Sequence, residues 1–484
     1  MNIKININET KEKWNRVWNF GFNTCHAALW LRDDMPSHAL RAQKEAGFKY
    51  VRFHNTISKH IKIYNEDENG NPVIDFSNFD KVFDKVIGYG YIPFFEVGFC
   101  PPLLSQHKGS LCYYEADPSI PKSYDKWNYL IRETVKHIVG RYGLECAKRW
   151  YFEVWNEPDL FFEGTQEQYF ELYDNTVTTI KSVCSDLKVG GPATSKCLWI
   201  NEFIEHIEEK NMPCDFISTH AYPSDLPFLD SDYGEVSLQN SRIMYELFKK
   251  TRERMNNSSL KELPLIMGEW NSSAGPFASN HDEKNNAPFI VKMFDDLDGI
   301  IDGSLYWNLS DIYEEQGFHY IPYHGGYGMF NINDIPKSSY NAFVLLNKFS
   351  GYKVASEISD VDISSGAMTA YDKENGILSI LMYNYIEPDM DKKDSENVKI
   401  TISGISSETV CERTFSICDE GGSVYEWWQK LGQPDFVNEA ILHKLNEKSK
   451  MVEDSKIIRR EKENDYLIKT ELRKGDVQLI QLHI

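Results

Sequence analysis

Residues 150–159 read WYFEVWNEPD. Five of the first six residues are aromatic or β-branched, which suits a buried strand. The run stops at Asn156-Glu157-Pro158. A proline cannot donate to a sheet ladder, and it turns the chain at the residue before it. Amphipathic helical patterns stand on either side, at 124–139 and 165–183. Working outward, the same strand-then-helix unit recurs. Strand-like runs lie at 18–23, 50–54, 92–97, 150–155, 188–191, 215–220, 265–269 and 304–308, with a further helical pattern at 235–255. Alternation of this kind implies parallel pairing through right-handed crossovers. Eight units point to a closed (β/α)8 TIM barrel over residues 14–350 rather than an open sheet.

Beyond Gly351 helical periodicity mostly stops. Strand-like runs follow at 376–385, 398–402, 409–417 and 465–484, interrupted by a helical patch at 437–445. This predicts a mainly antiparallel β-sandwich domain over 351–484. At the other end Ile3, Ile5 and Ile7 alternate with polar residues. Such a strand must bury its apolar face, and the barrel starts after it. Residues 1–13 are therefore expected to join the β domain.

The composition narrows the chemistry. The chain has 484 residues, 41% hydrophobic and 26% charged, with 52 basic against 73 acidic side chains and a net charge of −21. That excess argues against nucleic acid and anionic membrane surfaces as partners. The nine cysteines form no CxxC pair, so neither a disulfide framework nor a zinc site is expected. Free thiols and a leader-free start suggest a cytoplasmic protein, or a periplasmic or secreted one if a signal peptide preceded this sequence. The composition leaves self-association into a homo-oligomer open.

Barrel enzymes carry their chemistry where strands end and loops begin. The expected strand ends hold Arg52 and His54, Glu96, Asn156 and Glu157, His220 and Tyr222, Glu269, and Trp307, with Glu314 and Glu315 in the last loop. Glu157 and Glu269 end strands four and seven, which face each other across a closed barrel. Paired carboxylates are what glycoside hydrolysis needs. One acid gives a proton to the leaving oxygen, and one carboxylate attacks or stabilises the oxocarbenium-like centre. Aromatic rings near the mouth, among them Tyr113, Tyr114, Trp155, Trp270 and Trp307, suit stacking on sugar C–H faces or packing in the core. The possible metal ligands His281, Asp282 and Glu283, and His319 and His324, lack a convincing spacing, and no metal or cofactor is expected. Gly325-Gly326-Tyr327-Gly328 reads as a turn.

The segments YFEVWNEPDLFFEG, PLIMGEWNSS and YHGGYGMFNINDIPKSSYNAFVLLNKF resemble those of glycoside hydrolase family 39, the β-xylosidases and α-L-iduronidases. YVRFH, FFEVGFCPPLL, DFISTHAYPS, LYWNLSDIYEEQG and CDEGGSVYEWWQKLGQPDF follow in the same order, so the resemblance spans nearly the whole chain. It implies a retaining exo-glycosidase that removes a terminal β-linked sugar, xylose first, from a small oligosaccharide or glycoside. Residue by residue, it implies Glu157 as acid/base, Glu269 as nucleophile and Asn156 as donor to the sugar 2-hydroxyl. His220 and Tyr222 would line the sugar and position the nucleophile. Arg52 and His54 would form the pocket floor, and Glu314, with Glu315 less firmly, would bind hydroxyls.

Three departures bear on which sugar is bound: Asn55 where relatives often carry Gly, Gly268-Glu269-Trp270 where they often carry Thr-Glu-Tyr, and Tyr113-Tyr114 in a loop that varies. Another sugar therefore stays as an alternative, whether α-L-iduronide, arabinopyranoside, galactoside or glucoside. A uronate would need a basic partner, for which Lys284 is the obvious candidate. A non-catalytic carbohydrate-binding barrel is the rival from another class.

Overall fold

A computed structural model describes residues 1–484 apart from 225–239, 363, 389–393 and 462–464. Eight strands close into a barrel: Gly21–His26, Tyr50–His54, Ile92–Val97, Tyr151–Val154, Lys188–Thr194, Phe216–His220, Leu265–Trp270 and Gly303–Tyr306. Each pairs in parallel with its neighbours, and the eighth returns to the first through Leu305 and Tyr306 against Gly21 and Phe22. A helix follows every strand. Tyr124–Tyr142 and Gln166–Val183 flank the Asn-Glu-Pro strand. The second of these opens on a capping box, with Thr165 and Gln168 each satisfying the other's backbone N–H. The helix expected at 235–255 is Arg242–Asn256; positions 235–239 lie outside the described residues.

The interior of the barrel is layered. Phe94, Tyr151, Phe216, Ile266 and Leu305, with Phe20 and Tyr50, form an apolar plug. Further along the same strands come Asn23, Arg52, Glu96, Glu153, His220 and Glu269. The register pairs Glu96 with Glu153, and Glu269 with His220. The first strand starts three residues later than its sequence pattern predicts. Residues 17–19 instead form a 3-10 turn that buries Trp18 against Phe294 and Phe349.

The remaining strands form one nine-stranded sheet. Its neighbours are antiparallel except where Asn2–Lys13 runs parallel to Ser395–Ser403; on its other side this strand is antiparallel to Tyr352–Ser359. The run expected at 465–484 is two strands, Tyr466–Arg473 and Val477–His483, joined by a turn at Gly475 with φ at 76°; they pair with different neighbours, the first with Ser395–Ser403 and the second with Ile377–Asn384 and Thr409–Ile417. The sheet folds over on itself. Ile3, Ile5, Ile380, Met382, Ile400 and Ile468 share one core. Leu381 and Tyr383, on the opposite face of strand Ile377–Asn384, belong to the barrel's core. That strand is buried on both faces, which is why its sequence is almost continuously apolar. No described helix is long and apolar enough to cross a membrane.

Candidate active site

Arg52 organises the mouth of the barrel. It is fully buried, and its Nε donates to Glu153 Oε2 at 2.6 Å. Its Nη1 donates to Asn23 Oδ1 at 3.2 Å and its Nη2 to Asn156 Oδ1 at 2.9 Å. Glu96 lies 3.2 Å away and Glu269 3.5 Å. Burial works against its charge, but Glu153, Glu96 and Glu269 outweigh burial and hold the guanidinium protonated. An ion this deep persists only with such a full set of partners. Arg52 thus lies beneath the cavity and fixes Asn156 by its carbonyl oxygen. The Asn156 amide nitrogen is left as the group a ligand would meet.

Above Arg52 opens a cavity of about 590 Å³. Asn156, Glu157, Tyr222, Glu269, His54, Trp307 and Tyr114 all line it, as the sequence predicts. One carboxylate oxygen from each of Glu157 and Glu269, and one ring nitrogen of His220, lie within 4.8 Å of one another. Three such atoms could also ligate a cation.

Around Glu269, Tyr222 donates its hydroxyl to Oε1 at 2.7 Å. Arg52 and His54 stand 3.5 and 3.9 Å from Oε2, which accepts no hydrogen bond among the described residues. Burial lowers His54, but its 2.6 Å contact with Glu96 more than compensates and its pKa is raised. The Arg52 guanidinium, the His54 ring and the Tyr222 hydroxyl therefore surround Glu269.

Glu157 faces His220 Nδ1 at 3.0 Å. Burial, helped by the nearby charges of Arg52 and His54, pushes His220 down to about 4, so its ring is uncharged at neutral pH. His220 itself lies behind the two carboxylates, completely buried. The turn carrying Glu157 is strained, with φ at 71° for Trp155 and 43° for Glu157. It is held by Trp155 N–H to Val97 O (3.1 Å) and Glu157 N–H to Ala193 O (2.8 Å).

Three expectations need correction: Arg52 and His220, expected at the sugar, are completely buried and do not line the cavity, and neither does Glu314. Glu315, not Glu314, lines the cavity. Glu314 faces His26 at 2.9 Å and Arg32 at 3.3 Å, and the His26 ring stacks on Tyr114 at 4.7 Å. Glu314 therefore braces the wall from behind. Asn55 has φ at 60°, a left-handed conformation that glycine and asparagine adopt most easily. Lys284 is no partner for a ligand here. It is held by Asp419 at 2.5 Å and Asp476 at 2.8 Å, where barrel and β domain meet.

Sequence reasoning missed Phe99, Phe161, Lys196, Ser273 and Tyr327, which also line the cavity. For Tyr327 a signal existed in its flanking glycines. A side chain at Gly326 or Gly328 would collide with Asp311. Asp311 and Asp282 hold the buried Lys337 at 2.6 and 2.5 Å. The glycines let the Tyr327 loop pack on this ion cluster.

Comparison with known proteins agrees with this geometry. Residues 1–463 match the family model described as glycosyl hydrolases family 39. A β-xylosidase of Caldicellulosiruptor saccharolyticus is 34% identical over 457 residues, covering 93% of this chain and 92% of that one. A β-xylosidase of Geobacillus stearothermophilus is 30% identical over 448 residues, covering 90% and 86%. The crystal structure of a family 39 enzyme from Xanthomonas axonopodis pv. citri superposes with a TM-score of 0.89 at 26% identity, covering 100% of this chain and 97% of that one. The chain belongs to glycoside hydrolase family 39. It is a retaining glycoside hydrolase and acts on glycosides.

Proposed function

We propose that this enzyme is an exo-acting β-D-xylosidase in which Glu157 is the acid/base and Glu269 the nucleophile. The observation that carries this is the convergence of the two carboxylates from strands four and seven, with oxygens within 4.8 Å. Retaining enzymes hold this pair about 5–5.5 Å apart, and inverting enzymes about 6.5–9.5 Å. In the first step Glu157 protonates the glycosidic oxygen while Glu269 Oε2 attacks C1, and the aglycone leaves. Glu157, now ionised, takes a proton from water, which displaces Glu269 and releases the sugar with its configuration retained. Tyr222 holds the nucleophile through Oε1 and leaves Oε2 to react. His220 steadies Glu157, and the Asn156 amide offers a donor to a sugar hydroxyl.

Xylose as the sugar is supported by the two β-xylosidase relatives and by the charges at the pocket's inner end. A uronate would meet the acidic Glu315 and Glu269 in this cavity, and Arg52 beneath it is already held by Glu153, Glu96 and Glu269.

The test is azide rescue on an activated aryl β-xyloside. Glu157→Ala should still form the glycosyl–enzyme, show a burst and give β-xylosyl azide. Glu269→Gly should fall by about 10⁴-fold or more and give the α-azide. An α-azide from Glu157→Ala, or near-wild-type rates in both variants, would overturn the assignment.

A further inference from the structure

Four left-handed non-glycine residues gather, among the described residues, at the end of the fifth barrel strand and in the loop that follows it. Ala193, Lys196, Cys197 and Trp199 have φ at 53°, 53°, 55° and 56°. Left-handed residues cost about 1–3 kcal/mol each and gather where a site requires them. Side chains clamp this loop to the one that carries Glu157. Asp159 accepts from the Ser195 N–H at 2.9 Å and from its hydroxyl, and Glu157 N–H bonds to Ala193 O.

The clamp presents Lys196 to the cavity beside Glu157. Leu160 and Phe161 line the same cavity, and their N–H groups bond back to Glu157 O at 2.8 and 2.7 Å. Lys196 is half-buried, and its ammonium makes no hydrogen bond or ion pair among the described residues. Asp159, its acidic neighbour, feels the Lys196 charge but accepts its hydrogen bonds from Ser195. Among the described residues that line the cavity Lys196 is the only lysine or arginine, and the acidic side chains there are Glu157, Glu269 and Glu315.

The acid/base must touch the glycosidic oxygen, so the leaving group lies on the Glu157 side, against Leu160, Phe161 and Lys196. From this arrangement, and resting on the xylosidase reading above, we infer that the leaving-group subsite selects an aglycone bearing a carboxylate, paired with Lys196 and packed on Leu160 and Phe161. An anion at the other end of the cavity would meet the Glu269 nucleophile, so the carboxylate is directed to this one wall. A hydroxybenzoate and a uronate-substituted sugar share that chemistry.

Paired substrates separate charge from leaving-group reactivity. One pair is 4-carboxyphenyl and 4-carbamoylphenyl β-D-xyloside. The other is xylobiose with and without a uronic acid on its reducing xylose. The wild-type enzyme should favour the charged member of at least one pair by about three- to tenfold in kcat/KM, the worth of a partly exposed charge pair. The preference should shrink in high salt. In Lys196→Met the ratio should fall to about one, and Lys196→Arg should keep it. Which pair responds identifies the source of the carboxylate. Ratios of one or less in both wild-type pairs, or an unchanged ratio in Lys196→Met, would overturn the inference. Turnover of neither the neutral xyloside nor xylobiose would sink the xylosidase reading first, and the inference with it.

Discussion

Burial pushes the Glu315 carboxyl up to about 7, with Glu269 and Glu157 adding to the shift. An unfolded glutamate titrates near about 4.3. The folded state therefore binds this proton more tightly than the unfolded state. The stability it adds is complete below the unfolded value and is lost as pH rises through about 7. Glu315→Gln removes that loss. Its melting temperature relative to wild type should rise between pH 4.5 and pH 8, by about 2 °C for a chain of this size. Thermal unfolding across that range checks it, and a pH-independent difference would contradict it. Glu314→Gln should not show this rise, because its contact with His26 holds Glu314 below the ordinary glutamate value.

Asn2–Lys13 is an internal strand of its sheet, although it comes first in the chain. Ile3, Ile5 and Ile7 are 0%, 3% and 7% exposed, whereas the Lys4 side chain between them is 71% exposed. Period-two burial makes the consequences alternate as well. Ile5→Ala should cost about 2–5 kcal/mol. Lys4→Ala, which loses only an exposed pair with Glu357, should stay within about 0.5 kcal/mol. Denaturant titration distinguishes them. Equal effects would mean that the strand is not held in this register.

Barrel and β domain share one hydrophobic core, with Leu381, Tyr383, Phe415 and Leu479 packed among barrel residues. Polar ties cross the same boundary: Tyr383 to Asp295, Asn341 to Gly422 O and Ser449 O, and Lys284 to Asp419 and Asp476. Burial pushes the Asp476 carboxyl up, and the Lys284 ammonium opposes that shift. Lys284→Ala strands a largely buried carboxylate. It should destabilise the enzyme by about 3 kcal/mol at neutral pH, and by less in acid where Asp476 protonates. A double variant with Asp476→Asn should recover part of the loss. If the single variant left stability unchanged at pH 7, Lys284 would not be joining the domains.

Local pattern by itself determined the barrel and its two central carboxylates. Strand–helix alternation is written residue by residue, and Pro158 marks where a strand must stop, so Glu157 falls at a strand end whatever surrounds it. The distance between Glu157 and Glu269 follows once eight parallel strands close, because strands four and seven then face each other. Tertiary structure alone decided the rest. Glu314 and Glu315 are adjacent in a loop without periodicity. Which one enters the cavity depends on His26 and Arg32, more than 280 residues earlier in the chain. Lys284, the obvious basic residue in sequence should the sugar be a uronate, is taken by partners at 419 and 476 that only folding brings to it. Lys196 faces the site only because Asp159 and Glu157 hold its loop in strained conformations that no local propensity favours. Side-chain period is a short-range property. A loop's direction is set by contacts between residues far apart in sequence, and those exist only once the chain has folded.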